Sequence, residues 1–338
     1  MNRPFIIPIF LPHHGCPHRC TFCNQTAITG MQDHLPSPAK LKLCIDEFLE
    51  FKTKSRHPVQ IAFYGGNFLG LESDYIKRVL AAATRFVLAG KVDSIRFSTR
   101  PDTIDPQRLD ILKPFPVATI EIGAQSMDDQ VLSAANRGHT AADTEKAADL
   151  LKARNYDVGI QMMVGLPGDD DTKSLATGRC IATLGPDFVR IYPTVVLTGS
   201  PLAELYQKGD YTPWPLERCV ALVKKLCLWF QDNNIAVIRM GLQPSEDLDK
   251  NAAVLAGPYH PAFGHLVHSA IFLDKAAAAL ASEKDNYDTV TLKVHPRSVS
   301  KMRGLNNNNV EILKQTFQIQ SLHIIPDPTV SENSLAVS

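Results

Sequence analysis

Short β-rich runs alternate with helix-like segments through the first 200 residues of this 338-residue chain, and that alternation narrows the folds open to it. The sequence predicts strands at 6–11, 60–64, 94–98, 119–122, 160–164 and 188–192. Helical patterns fall between them, around 38–53, 73–89, 105–113, 140–154 and 172–184. Continuous apolar strands separated by helices imply a parallel sheet that the helices cover. Six such units make a partial (β/α)6 barrel of the TIM type, since a closed eight-unit barrel takes about 250 residues. Several polar residues follow these strands, at the C-terminal ends where parallel α/β folds build their sites.

After residue 200 the pattern changes. A helix at 216–232, a strand at 236–240, a helix from Pro261 to about Ser282, a strand at 289–294, a helix near 308–317 and a strand at 321–325 describe an α/β extension. The expected organisation is a core over 1–200, a C-terminal α/β extension over 201–325 and a loose polar tail over 326–338. Lys and Arg (35) balance Asp and Glu (35), so no overall positive field advertises nucleic-acid binding. The apolar opening is broken by Pro8 and followed by histidines and cysteines, a poor signal peptide. No run of about 20 apolar residues is present to span a membrane. These features predict a cytoplasmic protein with no membrane partner.

Cys16, Cys20 and Cys23 stand in one loop directly after the first strand, in C-x3-C-x2-C spacing with Phe22 before the last cysteine. That spacing suits an iron–sulfur cluster held by three thiolates. An electron-transfer cluster normally has cysteine at all four corners, so a fourth iron without one suggests another ligand there. A structural Cys3His zinc site that recruits His13, His14 or His18 stays open on the loop alone. Cys44, Cys180, Cys219 and Cys227 lie in helical patterns and read as buried small hydrophobes.

Downstream, Gly65, Gly66 and Asn67 follow the second strand, Ser98 to Asp102 end the third, and Gln125 ends the fourth. Arg137 precedes a helix and Gln161 lies in the fifth strand. Each alone reads as a turn or cap residue. Placed after successive strands and downstream of the cysteines, they form a joint pattern.

The cysteine loop, the glycine pair, Ile-Glu-Ile-Gly-Ala-Gln125-Ser, Asn-Arg137-Gly-His and Gln161-Met-Met-Val-Gly-Leu-Pro-Gly resemble the radical S-adenosylmethionine (radical SAM) enzymes. Ser98-Thr-Arg-Pro-Asp, Arg190-Ile-Tyr-Pro-Thr and Val237-Ile-Arg-Met-Gly-Leu-Gln resemble the branch of the Elongator catalytic subunit's radical domain. The resemblance decides for a 4Fe–4S cluster on Cys16, Cys20 and Cys23, with S-adenosyl-L-methionine on the open iron. It implies that Gly65, Gly66, Asn67, Ser98, Gln125, Arg137 and Gln161 bind this cofactor. It also implies reductive cleavage of S-adenosylmethionine, hydrogen abstraction from a substrate, and a reduced flavodoxin- or ferredoxin-like electron donor. Arg100, Arg190, Tyr192, Arg239 and His260 are the catalytic candidates on the substrate side.

The branch resemblance points to tRNA, and a tRNA base, as substrate. A small metabolite is the alternative, and a non-catalytic iron–sulfur electron carrier or redox sensor is the rival class. Three departures matter. Asn67 stands where many members carry an acidic or hydroxyl residue. The Elongator branch normally has a longer cysteine loop and an acetyltransferase domain. Coproporphyrinogen oxidases usually carry a further cysteine where Asn24 and Gln25 stand here, which disfavours a tetrapyrrole.

Overall fold

The computed structural model describes residues 4–11, 13–17, 19–25, 35–52, 57–243, 253–282 and 288–337. His18, weighed above as a zinc ligand, lies outside them. All six expected strands are present, as β1 (Phe5–Leu11), β2 (Val59–Gly65), β3 (Ser94–Thr99), β4 (Val117–Gln125), β5 (Asp157–Val164) and β6 (Phe188–Pro193). Between them lie α1 (Pro38–Glu50), α2 (Ser73–Leu88), α3 (Pro106–Leu112), α4 (Asp129–Ala134), α5 (Ala141–Lys152) and α6 (Asp171–Leu184). Then come α7 (Pro201–Lys208), α8 (Leu216–Asp232) and β7 (Ala236–Met240). β1 to β7 form one parallel sheet in chain order, so the sheet runs on past residue 200 to a seventh strand.

Local chemistry sets the helix ends. Ser37 accepts from the Lys40 amide at 3.3 Å and Pro38 opens the first turn of α1. Thr140 and Asp143 close a capping box on α5.

The sheet is strongly curled. Arg190 on β6 donates to the Tyr64 hydroxyl on β2 at 2.8 Å, across four strand intervals. In a flat sheet that span is about 19 Å. Curling gives the strands two unlike faces, and here the expectation of continuous apolar strands needs correction. Ile61, Phe63, Ile95, Phe97, Ile120, Ile122, Val158, Ile160, Val189 and Ile191 pack outward into one core under the helices. Alternate positions turn inward and are polar, among them Gln60, Tyr64, Arg96, Glu121 and Arg190. Helices cover only the convex face, so the concave face needs no apolar residues.

One carboxylate organises that concave face. Glu121 Oε1 accepts from Arg96 Nε at 3.0 Å and Nη2 at 2.5 Å, and Oε2 lies 2.8 Å from Arg190 Nε. The Arg96 and Glu121 side chains are 4% and 3% exposed, so their charges are balanced internally. Gln60 Oε1 takes another Arg96 proton at 3.1 Å. Gly159, on the neighbouring strand, leaves room for Phe188, over whose ring Arg96 lies at 5.0 Å.

The extension is built on α9 (Phe263–Ser282), β8 (Thr289–Val294), α10 (Val299–Arg303), α11 (Asn308–Phe317), β9 (Ser321–Pro326) and β10 (Leu335–Val337). β9 pairs parallel and β10 antiparallel with the central β8. A second core of Phe272, Ala276, Leu280, Leu292, Met302 and Leu313 lies beneath. Phe263, Val267 and Ile271, in the first half of α9, belong to the barrel core, so α9 joins the two. The tail expected to be loose carries β10, because Leu335 and Val337 pack against the second core. Among the helical cysteines, Cys219 and Cys227 are buried, with thiols pushed by desolvation to about 12 and about 11. Cys180 is exposed, contrary to expectation, because α6 turns Ser174, Thr177, Gly178 and Ile181 inward instead. Cys44 is half-buried.

Replacing Glu121 by Gln leaves two buried guanidinium groups without their counter-charge. The expected cost is about 3–5 kcal/mol, read as a lower urea midpoint. Glu121→Gln combined with Arg96→Met regains part of that loss.

Candidate functional site

The cysteine loop leaves β1 at Leu11 and is pinned on three sides. Asn67 makes the first attachment. Its amide donates to the Gly15 carbonyl at 2.9 Å, and its Oδ1 accepts from Thr99 Oγ1 (2.6 Å), Thr103 Oγ1 (2.9 Å) and the Arg100 amide (3.0 Å). Asn67 is wholly buried, with its side chain committed to protein partners. It therefore clamps the loop to the end of β3. An acid there would lack the amide protons that reach Gly15.

The glycine pair serves the same seat. Gly66 donates to the Leu11 carbonyl at 2.7 Å, and a Cβ on it would lie 2.1 Å from the His14 carbonyl oxygen. Gly65, at φ 103°, takes a left-handed backbone beside Leu11, and its carbonyl accepts from Gln25 at 2.8 Å. Both glycines thus let strand and loop touch.

The second attachment is the segment after α4. Thr21 donates to the Ala135 carbonyl at 3.0 Å, and Asn136 donates to the Arg19 carbonyl at 2.8 Å. The third is the start of α7, where Leu202 donates to the Thr21 carbonyl at 2.8 Å.

Arg137 connects the thiols to the barrel mouth. Nη1 donates to Cys20 Sγ at 3.1 Å, Nη2 donates to the Gly123 carbonyl at 2.5 Å, and the guanidinium lies 5.9 Å from the Phe22 ring centre. Arg100 donates to the Arg137 carbonyl and grips Asp102 through Nε (2.9 Å) and Nη2 (3.1 Å). Its Nη1 is buried and has no hydrogen-bond partner among the described residues. At the end of β4 a register shift between Gly123 and Gln125, with Gln125 at φ 69°, re-aims the Gln125 side chain. Gln161 Nε2 then donates to Gln125 Oε1 at 3.1 Å. A Cβ on Gly123 would meet Gln125 Nε2 at 3.0 Å and Arg137 Nη2 at 3.5 Å, so the missing side chain leaves a polar cradle between them.

Burial pushes the Cys23 thiol up to about 12, and Cys20 and Cys16 push it the same way. Cys16 is raised by burial and by Cys20, against the pull of Arg100 and Arg137. Three neighbouring cysteines, with Arg100 and Arg137 beside them, suit a metal that takes them as thiolates. A cube takes its thiolates at separate corners. The residues therefore fit a cluster, and the cradle at Gly123, Gln125 and Arg137 fits a polar small molecule beside it.

The remaining candidates divide. Ser98 is the cross-strand neighbour of Glu121 and is half-buried. Arg190, with Tyr192 Oη at 3.5 Å, sits on the concave face beneath the mouth. Burial alone would depress the Arg190 guanidinium, but Glu121, Tyr192 and Tyr64 hold it above its ordinary range. Arg239 is the cross-strand partner of Arg190. His260 is not brought to these groups by any contact seen among the described residues. Its Nδ1 accepts the Ala262 amide at 3.0 Å and its carbonyl accepts from Phe263, forming the turn into α9.

Sequence reasoning missed Thr103, and it gave Thr99 and His139 no role of their own within the runs Ser98–Asp102 and Asn136–His139. Charges at alternate strand positions and a glycine inside β4 were the available signals for the concave face. Buried His139 places Nε2 3.2 Å from the Ala124 carbonyl, while Nδ1 has no hydrogen-bond partner among the described residues. Desolvation, with Arg137 and Arg100, lowers its pKa to about 4.

Comparison with known proteins gives concordant results. Residues 10–176 match the family model described as Radical SAM superfamily, and residues 186–272 match the Radical_SAM C-terminal domain. A tRNA uridine(34) acetyltransferase of Dehalococcoides mccartyi is 28% identical over 233 residues, which cover 59% of this chain and 50% of that protein. An uncharacterized protein of Methanocaldococcus jannaschii is 29% identical over 218 residues, covering 62% of this chain and 67% of that protein. The solved structure of Methanocaldococcus infernus Elp3, with an N-terminal deletion, superposes with a TM-score of 0.61 at 19% identity. That match covers 82% of this chain and 64% of the other, and at such identity it speaks to fold. The chain spans about half the length of the acetyltransferase it matches.

His139 has a pH signature. The unfolded chain takes up its proton near pH 6.5, whereas the folded chain does so only near pH 4. Stability is therefore full above about pH 6.5 and is lost as pH falls toward 4, by roughly 3 kcal/mol. In anaerobic urea titrations, His139→Gln is expected to flatten that loss relative to the parent.

Proposed function

Since the chain belongs to the radical SAM superfamily, it is an enzyme that works with a 4Fe–4S cluster and S-adenosylmethionine, and we propose that it acts on a base of tRNA. The observation that carries this reading is the convergence of Arg137 on Cys20 and on the Gly123–Gln125 cradle. An electron carrier has no need of a cradle beside its thiols. The relatives named for tRNA uridine(34) acetylation favour a nucleoside substrate. The acetylation in that name is not carried over.

Cys16, Cys20 and Cys23 would hold the cluster, which with S-adenosylmethionine supplies a 5′-deoxyadenosyl radical after one-electron reduction. Arg137 is placed to hold a carboxylate in the paired geometry a guanidinium favours. Gln125 and Gln161, locked to each other, present fixed polar atoms to a ribose. Ser98 belongs to the same proposed set. Asn67 and Arg100 keep the loop and Arg137 in place. Below the cradle, Tyr192 and Arg239 present the groups nearest a substrate entering the concave face, while Glu121 fixes Arg190 so that its charge does not wander. Radical SAM enzymes need a reductant, and a flavodoxin- or ferredoxin-like protein is the proposed donor.

The test is anaerobic reconstitution and reduction, with 5′-deoxyadenosine measured by chromatography and tRNA nucleosides profiled by mass spectrometry. Expected are cleavage of S-adenosylmethionine and a changed nucleoside in tRNA from cells that hold the protein. An intact cluster without 5′-deoxyadenosine would overturn the catalytic reading, and an unchanged nucleoside profile would overturn the tRNA reading. Arg137→Ala is expected to slow 5′-deoxyadenosine formation by about 10- to 100-fold, the worth of a hydrogen bond to a charged group.

A further inference from the structure

β7 is the last strand of the large sheet, and its pairing with β6 contains a slip. Phe188 faces Ala236 and Val189 faces Val237, but Arg190 faces Arg239, so Ile238 is skipped. A bulge of this kind re-aims a side chain, and bulges gather beside active sites. This one leaves Ile238 at 49% exposure. It sets a second guanidinium on the concave face, one strand from Arg190, where the two like charges repel.

Nothing among the described residues answers that charge. Glu121 already serves Arg96 and Arg190. Arg239 is half-buried and has neither a hydrogen bond nor an ion pair among the described residues. At the inward strand positions Arg96, Arg190 and Arg239 stand against Glu121, while Asp157 is exposed at the opposite end of β5. Three guanidinium groups against one buried carboxylate leave this face in positive excess.

The same face is short of acceptors. Arg190 donates to the Tyr64 hydroxyl at 2.8 Å and to the Tyr192 hydroxyl at 3.5 Å, the long edge of hydrogen-bond range. Each phenol oxygen thus receives a proton from Arg190, and neither hydroxyl donates to a described residue. Burial and Glu121 push the Tyr64 phenol up to about 12, so it keeps its own proton. Both hydroxyl protons and the Arg239 donors are left for an acceptor the protein does not supply.

Register shows where that acceptor would lie. Gly123, Gln161, Arg190 and Arg239 form one row across β4 to β7. Gln161, the partner of Gln125 in the cradle, is two strand intervals from Arg239, about 10 Å. Two residues along β6 from Arg190, Tyr192 packs on the same cluster of Val131, Ala135, Met163 and Leu166 as Phe22 of the cysteine loop.

We propose that Arg239, Tyr64 and Tyr192 form an anion-binding site for the substrate, which takes a phosphate or carboxylate group of the molecule that reaches the cradle. Either group is all acceptor and carries the charge this face lacks, whereas an ammonium or amino group would meet only donors. Arg190 is a positioning residue: fixed by Glu121, it holds both phenols as donors toward the cavity. The site rests on the enzyme reading above and adds the chemistry of one part of the substrate; it does not depend on that substrate being tRNA.

The test is anaerobic titration calorimetry of the cluster-loaded chain with saturating S-adenosylmethionine. Inorganic phosphate and acetate are the probes, each at constant ionic strength in chloride. The parent is expected to bind an oxyanion in competition with chloride; a response to phosphate alone assigns a phosphate-bearing substrate, and a response to acetate alone a carboxylate. Arg239→Gln is expected to weaken binding about tenfold or more, the worth of a hydrogen bond to a charged group, and Arg239→Lys to regain part of the loss. Tyr64→Phe and Tyr192→Phe, which keep the ring packing, are expected to weaken it about fivefold each. A parent that binds neither anion overturns the proposal, as does binding within about twofold of the parent in Arg239→Gln and both Phe variants. Anion binding that depends on these residues, with an unchanged tRNA nucleoside profile, leaves the site standing and removes the tRNA reading. A changed profile without anion binding does the reverse.

Discussion

Glu121 accepts from Arg96 and lies against Arg190, and through them it reaches four strands and the floor of the barrel. Without a carboxylate there, a concave face with two guanidinium groups a few ångströms apart would repel itself open. With it, the sheet can curl until Tyr64 on β2 meets Arg190 on β6. Curling also brings the ends of β1, β3 and β4 to a common mouth, where the cysteine loop, Arg100 and Gln125 meet. A buried ion cluster is a poor source of net stability. Its value here is geometric, because it fixes one curvature and so one arrangement of strand ends.

A second constraint is that the cysteine loop has little regular structure of its own. It is held by groups from elsewhere: Asn67 from the end of β2, Ala135 to Arg137 from after α4, and Leu202 at the start of α7. That distribution means that residues from Asn67 to Leu202 act on one short loop. It also explains Arg137, whose two nitrogens bridge a cysteine sulfur and a strand carbonyl.

The element order was legible in the sequence because apolar runs and caps such as Ser37-Pro38 are local signals. The cysteines were legible as a site because three thiols at that spacing have few other uses. The clamp at Asn67 was not legible, since it depends on Thr99 and Thr103, residues whose approach no local pattern encodes. The turn at His260 was hidden for the opposite reason: a residue that turns the chain into a helix looks, in sequence, like any histidine near prolines. Gly123 and His139 acquire meaning only once Arg137 has folded over them.

Helix α9 begins in the barrel core at Phe263 and ends in the second core near Leu280. Its 20 residues make a rod of about 30 Å. Both ends are embedded, so one continuous backbone ties the barrel core to the core of the extension. The extension is therefore not a separately hinged module, because its first helix is also part of the barrel's outer layer.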